Sequence, residues 1–364
     1  MRKLLAIAAL VVLATPAAAQ RMWQPEIGIQ GGFSSYKTAG TGGNATTFIE
    51  LPGGTFLTTI LTYAPVYAIL PVGRRLALEP QFGGSQVNLG GSTFTVGRVG
   101  LRFDYAFGPG LYGAAGGVLN VAYTGSPGNK QVGLQLGVGY RTHLSGPLNG
   151  RVEANWVTTH ASDLLGASNA YSVLLGVSST LGGSTAGRPA RASAMKAWSP
   201  VIGFVAGYGD AHAVGSGGDV TGIFFPGVTN SFAVFGTAIP APPTLFAIIP
   251  LGGKWAIEPS FDVHHVGSSG SSATSFEAGA RFDYAVTDGW YAAAGGQLTN
   301  VNPSSGSSAT LTGASVAWGY RFHLAGATGG RVEVNYLMTG KNNTVGTPPI
   351  NTLTVLFGLT MPLQ

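Results

Sequence analysis

Residues 93–107 read TFTVGRVGLRFDYAF. Side chains alternate across a strand with a period of two. Val99, Leu101, Phe103, Tyr105 and Phe107 therefore share one face, and Arg98, Gly100, Arg102 and Asp104 share the other. Residues 273–286, ATSFEAGARFDYAV, repeat the arrangement. Phe276, Ala278, Ala280, Phe282 and Tyr284 there oppose Glu277, Gly279, Arg281 and Asp283. In both stretches the apolar face is broad and aromatic. The polar face is small and sparsely charged, too poor in charge for a surface that meets bulk water. A sheet with such faces places its apolar side in lipid and its small polar side in a lumen.

The Arg-Phe-Asp-Tyr-Ala motif at 102–106 returns at 281–285, an offset of 179. Glu79-Pro80 returns as Glu258-Pro259, and Gly139-Tyr140-Arg141 as Gly319-Tyr320-Arg321. Gly150-Arg151-Val152-Glu153 returns as Gly330-Arg331-Val332-Glu333. Such regular self-similarity is read before any local pattern. It predicts two copies of one unit, at 24–182 and 200–364, joined by a Gly-, Ala- and Ser-rich segment at 183–199. That segment carries Arg188, Arg191 and Lys196 and no acid.

Composition agrees with a membrane sheet. Charged residues are 9 % of the 364, against roughly 25 % in soluble domains, while 45 % are hydrophobic and 58 are glycine. The longest apolar run, Leu4 to Ala14, falls short of the roughly 20 residues of a spanning helix. With Arg2-Lys3 before it and Ala17-Ala18-Ala19 after it, the run reads as a signal peptide over 1–19. The absence of cysteine removes disulfides, thiolate metal sites and a lipid anchor on cysteine. With the first 19 residues and the joining segment set aside, basic and acidic residues balance. The excess of positive charge therefore does not describe a nucleic-acid surface.

Period-two segments between turn clusters predict eight strands in the first copy, near 26–36, 56–70, 75–87, 93–107, 110–124, 130–144, 149–160 and 169–181. The second copy yields eight more, near 201–211, 231–249, 254–266, 273–286, 290–302, 309–324, 331–341 and 351–362. Proline cannot donate to a ladder. Pro65, Pro240, Pro242 and Pro243 weaken strand two of each copy, and Pro80 and Pro259 are read as bulges. Connections alternate between short ones (71–74, 108–109, 145–149) and longer ones (37–55, 88–92, 125–129, 161–168), as periplasmic turns and external loops do. The chain resembles the small eight-stranded outer-membrane barrels of the OmpA transmembrane domain and OmpX. The resemblance rests on strand count, loop alternation and the Arg-x-Asp and Gly-Tyr-Arg patterns. It implies a transmembrane up-and-down antiparallel β-barrel, all-β, as two tandem eight-stranded barrels, with one sixteen-stranded porin-like barrel as the alternative. It also implies the bacterial outer membrane, with the basic linker in the periplasm. One departure is the ending Met361-Pro362-Leu363-Gln364, where such chains end in an aromatic residue.

The polar faces concentrate charge near the short turns. Glu79, Arg102, Asp104, Arg141 and Glu153 in the first copy, and Glu258, Arg281, Asp283, Arg321 and Glu333 in the second, are expected to form one layer per lumen. Eight strands leave room for little more than side chains, and a lone charge there is prohibitive, so these residues are expected to pair and close the lumen. His143 and His323 are expected in the same network, whereas His264 and His265 point to opposite faces and do not form a metal site. A hydrolase reading rests on His160, Ser162 and Asp163 at a loop rim, a cluster that the second copy lacks. The reading favoured is a non-enzymatic scaffold or surface-binding protein with no cofactor, metal or nucleic-acid partner. It contacts outer-membrane lipids and binds an unidentified surface ligand through loops 37–55 and 212–230.

Overall fold

The computed structural model describes residues 23–38, 45–51, 62–89, 92–123, 129–162, 166–181, 198–213, 219–224, 243–268, 271–325, 328–341 and 349–363. The expected signal peptide and almost all of the linker lie outside the described residues. Among these there is no helix. In chain order the strands are β1 (Glu26–Thr38), β2 (Thr46–Leu51), β3 (Val66–Pro71), β4 (Leu76–Leu89), β5 (Ser92–Ala106), β6 (Leu111–Tyr123), β7 (Asn129–Ser145), β8 (Leu148–Thr159) and β9 (Ser168–Thr180). They continue as β10 (Val201–Ala213), β11 (Asp219–Phe224), β12 (Leu245–Gly252), β13 (Trp255–Ser268), β14 (Ser271–Ala285), β15 (Trp290–Pro303), β16 (Ala309–Ala325), β17 (Thr328–Thr339) and β18 (Ile350–Pro362).

Each copy closes on itself at the end with short turns. β9 pairs antiparallel with β1 from Glu26↔Thr180 to Thr38↔Ser168. β18 pairs with β10 from Val201↔Pro362 to Ala213↔Ile350. β3 joins β1 to β4, and β12 joins β10 to β13. At this end the ladders therefore form two eight-stranded rings.

The other end is different. β2 pairs with β1 (Gly32↔Glu50 to Tyr36↔Thr46) and then with β13 of the second copy (Val263↔Leu51 to Gly267↔Thr47). β11 pairs with β10 (Gly207↔Phe224 to His212↔Asp219) and then with β4 of the first copy (Phe224↔Ser85 to Val220↔Leu89). Two strands are exchanged, and the loop-end ladders run continuously as one ring of sixteen. Two narrow legs thus rise into a common waist, and the two fold alternatives each describe one end of the molecule. Independent closure of each barrel along its whole height is corrected by this exchange. The physical reason is that β4 and β13 offer equivalent edges.

Strand two also needs correction. Among the described residues, the range 56–70 is strand only at its end, in β3, and the range 231–249 only at its end, in β12, while β2 and β11 are strands that the sequence pattern did not predict. Residues 52–61 and 225–242 lie outside the described residues. The long loops 37–55 and 212–230 are likewise shortened, because β2 and β11 occupy part of them. Pro80 and Pro259 are not bulges. Pro80↔Leu101 and Pro259↔Ala280 stay in register. The missing donor faces β3 and β12, where the ladder skips from Tyr67↔Gln81 to Leu70↔Leu78 and from Phe246↔Ser260 to Ile249↔Ile257.

The turns follow their residues. Gly110 and Gly289, at φ +79° and +81°, close the β5–β6 and β14–β15 turns in a region that L side chains avoid. Outside, Val99, Leu101, Phe103, Tyr105, Val132, Leu134, Leu136 and Val138 are all exposed. Inside, the charged faces are buried. This inversion is the expected signature of a barrel built for hydrocarbon. Near the turn end, Trp255, Tyr284, Trp290, Trp318 and Tyr320 gather outside the second barrel, with Trp255–Tyr284 and Trp290–Tyr320 ring centroids 4.8 and 5.0 Å apart.

Candidate functional site

In the first lumen Arg102 of β5 is the hub. Its Nη1 and Nη2 donate to Glu153 Oε1 and Oε2 at 2.6 and 2.5 Å, a bidentate fork. The same guanidinium lies 3.0 Å from Glu79 and 3.1 Å from Asp104. Arg151 Nη1 donates to Glu79 Oε2 at 2.7 Å and Arg151 Nη2 to Gln30. The Tyr112 hydroxyl donates to Glu153 Oε2 at 2.6 Å, and Gln81 Nε2 to Glu79 Oε1 at 2.6 Å. Arg151 lies 3.5 Å over the ring of Tyr67. Glu79, Asp104 and Glu153 are fully enclosed. Hydrogen bonds from several directions are what make such burial tolerable, since a buried ion deprived of partners costs several kcal/mol.

The second lumen repeats the hub. Arg281 Nη1 and Nη2 donate to Glu333 at 2.6 and 2.5 Å, and the guanidinium lies 3.0 Å from Glu258 and 3.3 Å from Asp283. Arg331 Nη1 donates to Glu258 at 2.5 Å and Tyr291 to Glu333 at 2.6 Å.

Arg141 does not join the first hub, which corrects the single layer expected there. Arg141 pairs with Glu26, which also accepts from Asn149 Nδ2 at 3.0 Å and Ser178 Oγ at 2.7 Å. The Arg141 guanidinium lies 4.8 Å over Trp23. Arg321 lies 3.7 Å over Trp198. The register sets Arg141 opposite Arg151 and Arg321 opposite Arg331. His143 and His323 are also corrected. Both are exposed, although each is still in register, at His143↔Asn149 and His323↔Gly329, because they stand at the turn-end rim, next to the irregularities that close the ladders. His264 is buried and His265 meets Thr274 Oγ1 at 2.7 Å. His160 is exposed, and Asp163 lies outside the described residues.

Sequence reasoning missed Arg151, Arg331, Glu26 and the two tyrosines. Strict alternation already puts Arg151 on the face of Glu153, so that signal was present. Tyr112 and Tyr291 look like lipid-facing aromatics until the glycines opposite them, Gly139 and Gly319, are seen to admit their rings.

The two lumens are filled differently. Beside Arg281 and Glu333 lies a cavity of about 30 Å³, lined in part by Ser260, Ser315 and Asn335. The corresponding positions of the first copy hold Gln81, Gln135 and Asn155. Serines in place of Gln81 and Gln135 thus leave room for about two water molecules in the second copy, and the Arg281 side chain is 12 % exposed against 1 % for Arg102.

No family model matches the chain, and no curated protein does. Among solved structures it is similar to the CymD monoaromatic hydrocarbon channel, at 10 % identity over 98 % of this chain and 94 % of that one, TM-score 0.30. It is also similar to OmpT, an outer membrane protein of Vibrio cholerae, at 11 % identity over 93 % and 96 %, TM-score 0.26. A Pseudomonas aeruginosa FadL homologue matches at 10 % identity over 93 % and 89 %, TM-score 0.25. Likeness at this level carries no argument about activity. The strand pairing and the outward apolar belt stand on their own, and the fold is an antiparallel up-and-down β-barrel of the transmembrane type.

Proposed function

We propose that this chain is a bacterial outer-membrane protein built by duplication of an OmpA/OmpX-like eight-stranded unit. In this reading both lumens are closed at the periplasmic end, and the protein acts without catalysis, as a scaffold or surface-binding protein whose loop end meets its ligand. The observation that carries it is the pair of ion-pair hubs centred on Arg102 and Arg281. Each draws three carboxylates onto one guanidinium across a lumen with room for side chains and little else. The exposed apolar belt and the aromatic cluster at one rim support insertion among outer-membrane lipids. Short turns at the plugged end support a periplasmic position for that end and for the basic linker.

The test is the conductance of the refolded full-length chain in a planar bilayer. The expected result is no stable channel event. Steady unitary currents would overturn the plug and support the alternative, a porin-like channel, which the sixteen-strand ring at the loop end favours.

A further inference from the structure

At residues 83 and 84 of β4 the ladder forks, with β3 pairing below, up to Phe82, and β11 above, from Ser85. Arg98 of β5 stands opposite Gly83 at this fork. Its side chain is fully buried, and Nε, Nη1 and Nη2 have no hydrogen-bond partner among the described residues. Asn120 lies directly across the β5–β6 ladder with its Oδ1 also unpaired, yet the two side chains do not bond. Asn120 instead gives its Nδ2 to Gln131 Oε1 at 3.1 Å. On the plug side, Gln135 and Asn155 keep both polar atoms of their amides unpaired. A Cβ built on Gly100, between Arg98 and Arg102, would lie 3.2 Å from Gln81 Oε1 and 3.7 Å from Gln135 Oε1. Uncharged amides therefore separate Arg98 from the hub, and no ion pair among the described residues reaches it.

The second copy shows what this fork needs for structure. Thr244, the counterpart of Pro65, donates its N–H and hydroxyl to Asp262 at 2.8 and 2.6 Å. Both residues also accept from β1 or β10, Pro65 O from Gln30 N and Thr244 O from Val205 N. Proline has no N–H, so the first copy needs no acid there, and Gly83 stands in place of Asp262. In place of Glu277 it carries Arg98. The fold thus explains the glycine but gives the guanidinium no partner.

We propose that Arg98 anchors an oxyanion-binding site at the fork of the first barrel, entered from the loop end. The ligand is a small solute bearing a carboxylate or a phosphate. A planar guanidinium offers two parallel donors matched to either group. A buried cation without a partner is costly, whereas one matched by a bound oxyanion is not. Gly83, directly opposite, carries no side chain, and the unpaired Gln135 amide on the plug side is a further donor. The site lies in the lumen rather than on the loops, so it goes beyond surface binding, and it is independent of whether the lumen conducts.

The test is calorimetric titration of the full-length protein in detergent with inorganic phosphate, and separately with acetate, at fixed ionic strength. Saturable binding of one probe is expected, and which probe binds separates phosphate-bearing from carboxylate-bearing solutes. Arg98→Met should weaken that binding at least tenfold while remaining folded by circular dichroism, and its melting temperature should no longer rise with the anion. Arg98→Lys, which keeps the charge without the fork, should fall between the two. Binding of neither probe to the unmodified chain, or equal binding by Arg98→Met, overturns the proposal. So does failure of both variants to fold, which would mean that the guanidinium has a structural partner.

Discussion

Arg102→Ala should destabilise the first barrel by about 3–5 kcal/mol, the cost of breaking a buried ion network from one side. The substitution leaves Glu79, Asp104 and Glu153 facing one another with Arg151 as the remaining nearby cation. Arg281→Ala removes the same contacts in the second barrel but should cost less, because the cavity beside it lets water reach the stranded carboxylates. Urea unfolding in lipid vesicles, followed by tryptophan fluorescence, reads both. Equal small losses for the two variants would mean that the hubs do not hold the lumens shut.

Gly139→Ala should cost about 3 kcal/mol or more. An added Cβ would lie 2.5 Å from Cζ of Tyr112, whose ring covers the glycine. The ring would have to leave, giving up its edge contact with Trp23, at a centroid distance of 5.7 Å, and its hydrogen bond to Glu153. Overpacking costs about 1–3 kcal/mol, and a hydrogen bond to a charged group is worth about 1.5–3 kcal/mol. Gly117→Ala serves as the comparison, since its nearest atom beyond the chain neighbours is 3.8 Å away. That change should stay within about 1 kcal/mol of the parent. The same unfolding measurement decides, and equal losses for the two alanines would contradict the packing described.

Much of this was legible because membrane strands carry their environment in every second residue. The face shared by Arg102 and Asp104 and the face shared by Phe103 and Tyr105 identify lumen and lipid without coordinates. The repeat then makes each inference checkable in its copy. Which acid meets which base was less legible, because strand shear moves partners up or down by several residues. Arg141 consequently meets Glu26 rather than Glu79. The histidines at the β7–β8 and β16–β17 turns keep the alternation, at His143↔Asn149 and His323↔Gly329, but stand at the rim, where exposure rather than face decides whether they pair. The strand exchange could not be read at all. β2 meets β13 at Ile49↔His265 in the register it would have with β4 at Gln86, so local pattern does not choose between the two edges.

Disulfide formation between introduced cysteines tests that exchange most directly, in a chain with no cysteine of its own. Directly opposed residues of an antiparallel pair have Cα atoms about 4.5–5.5 Å apart, within the span a disulfide bridges. The full-length protein carrying Ile49→Cys with His265→Cys should crosslink in the membrane, and Ile49→Cys with Gln86→Cys should not. Rapid crosslinking of 49 to 86 with none to 265 would contradict the shared waist and leave two separate barrels.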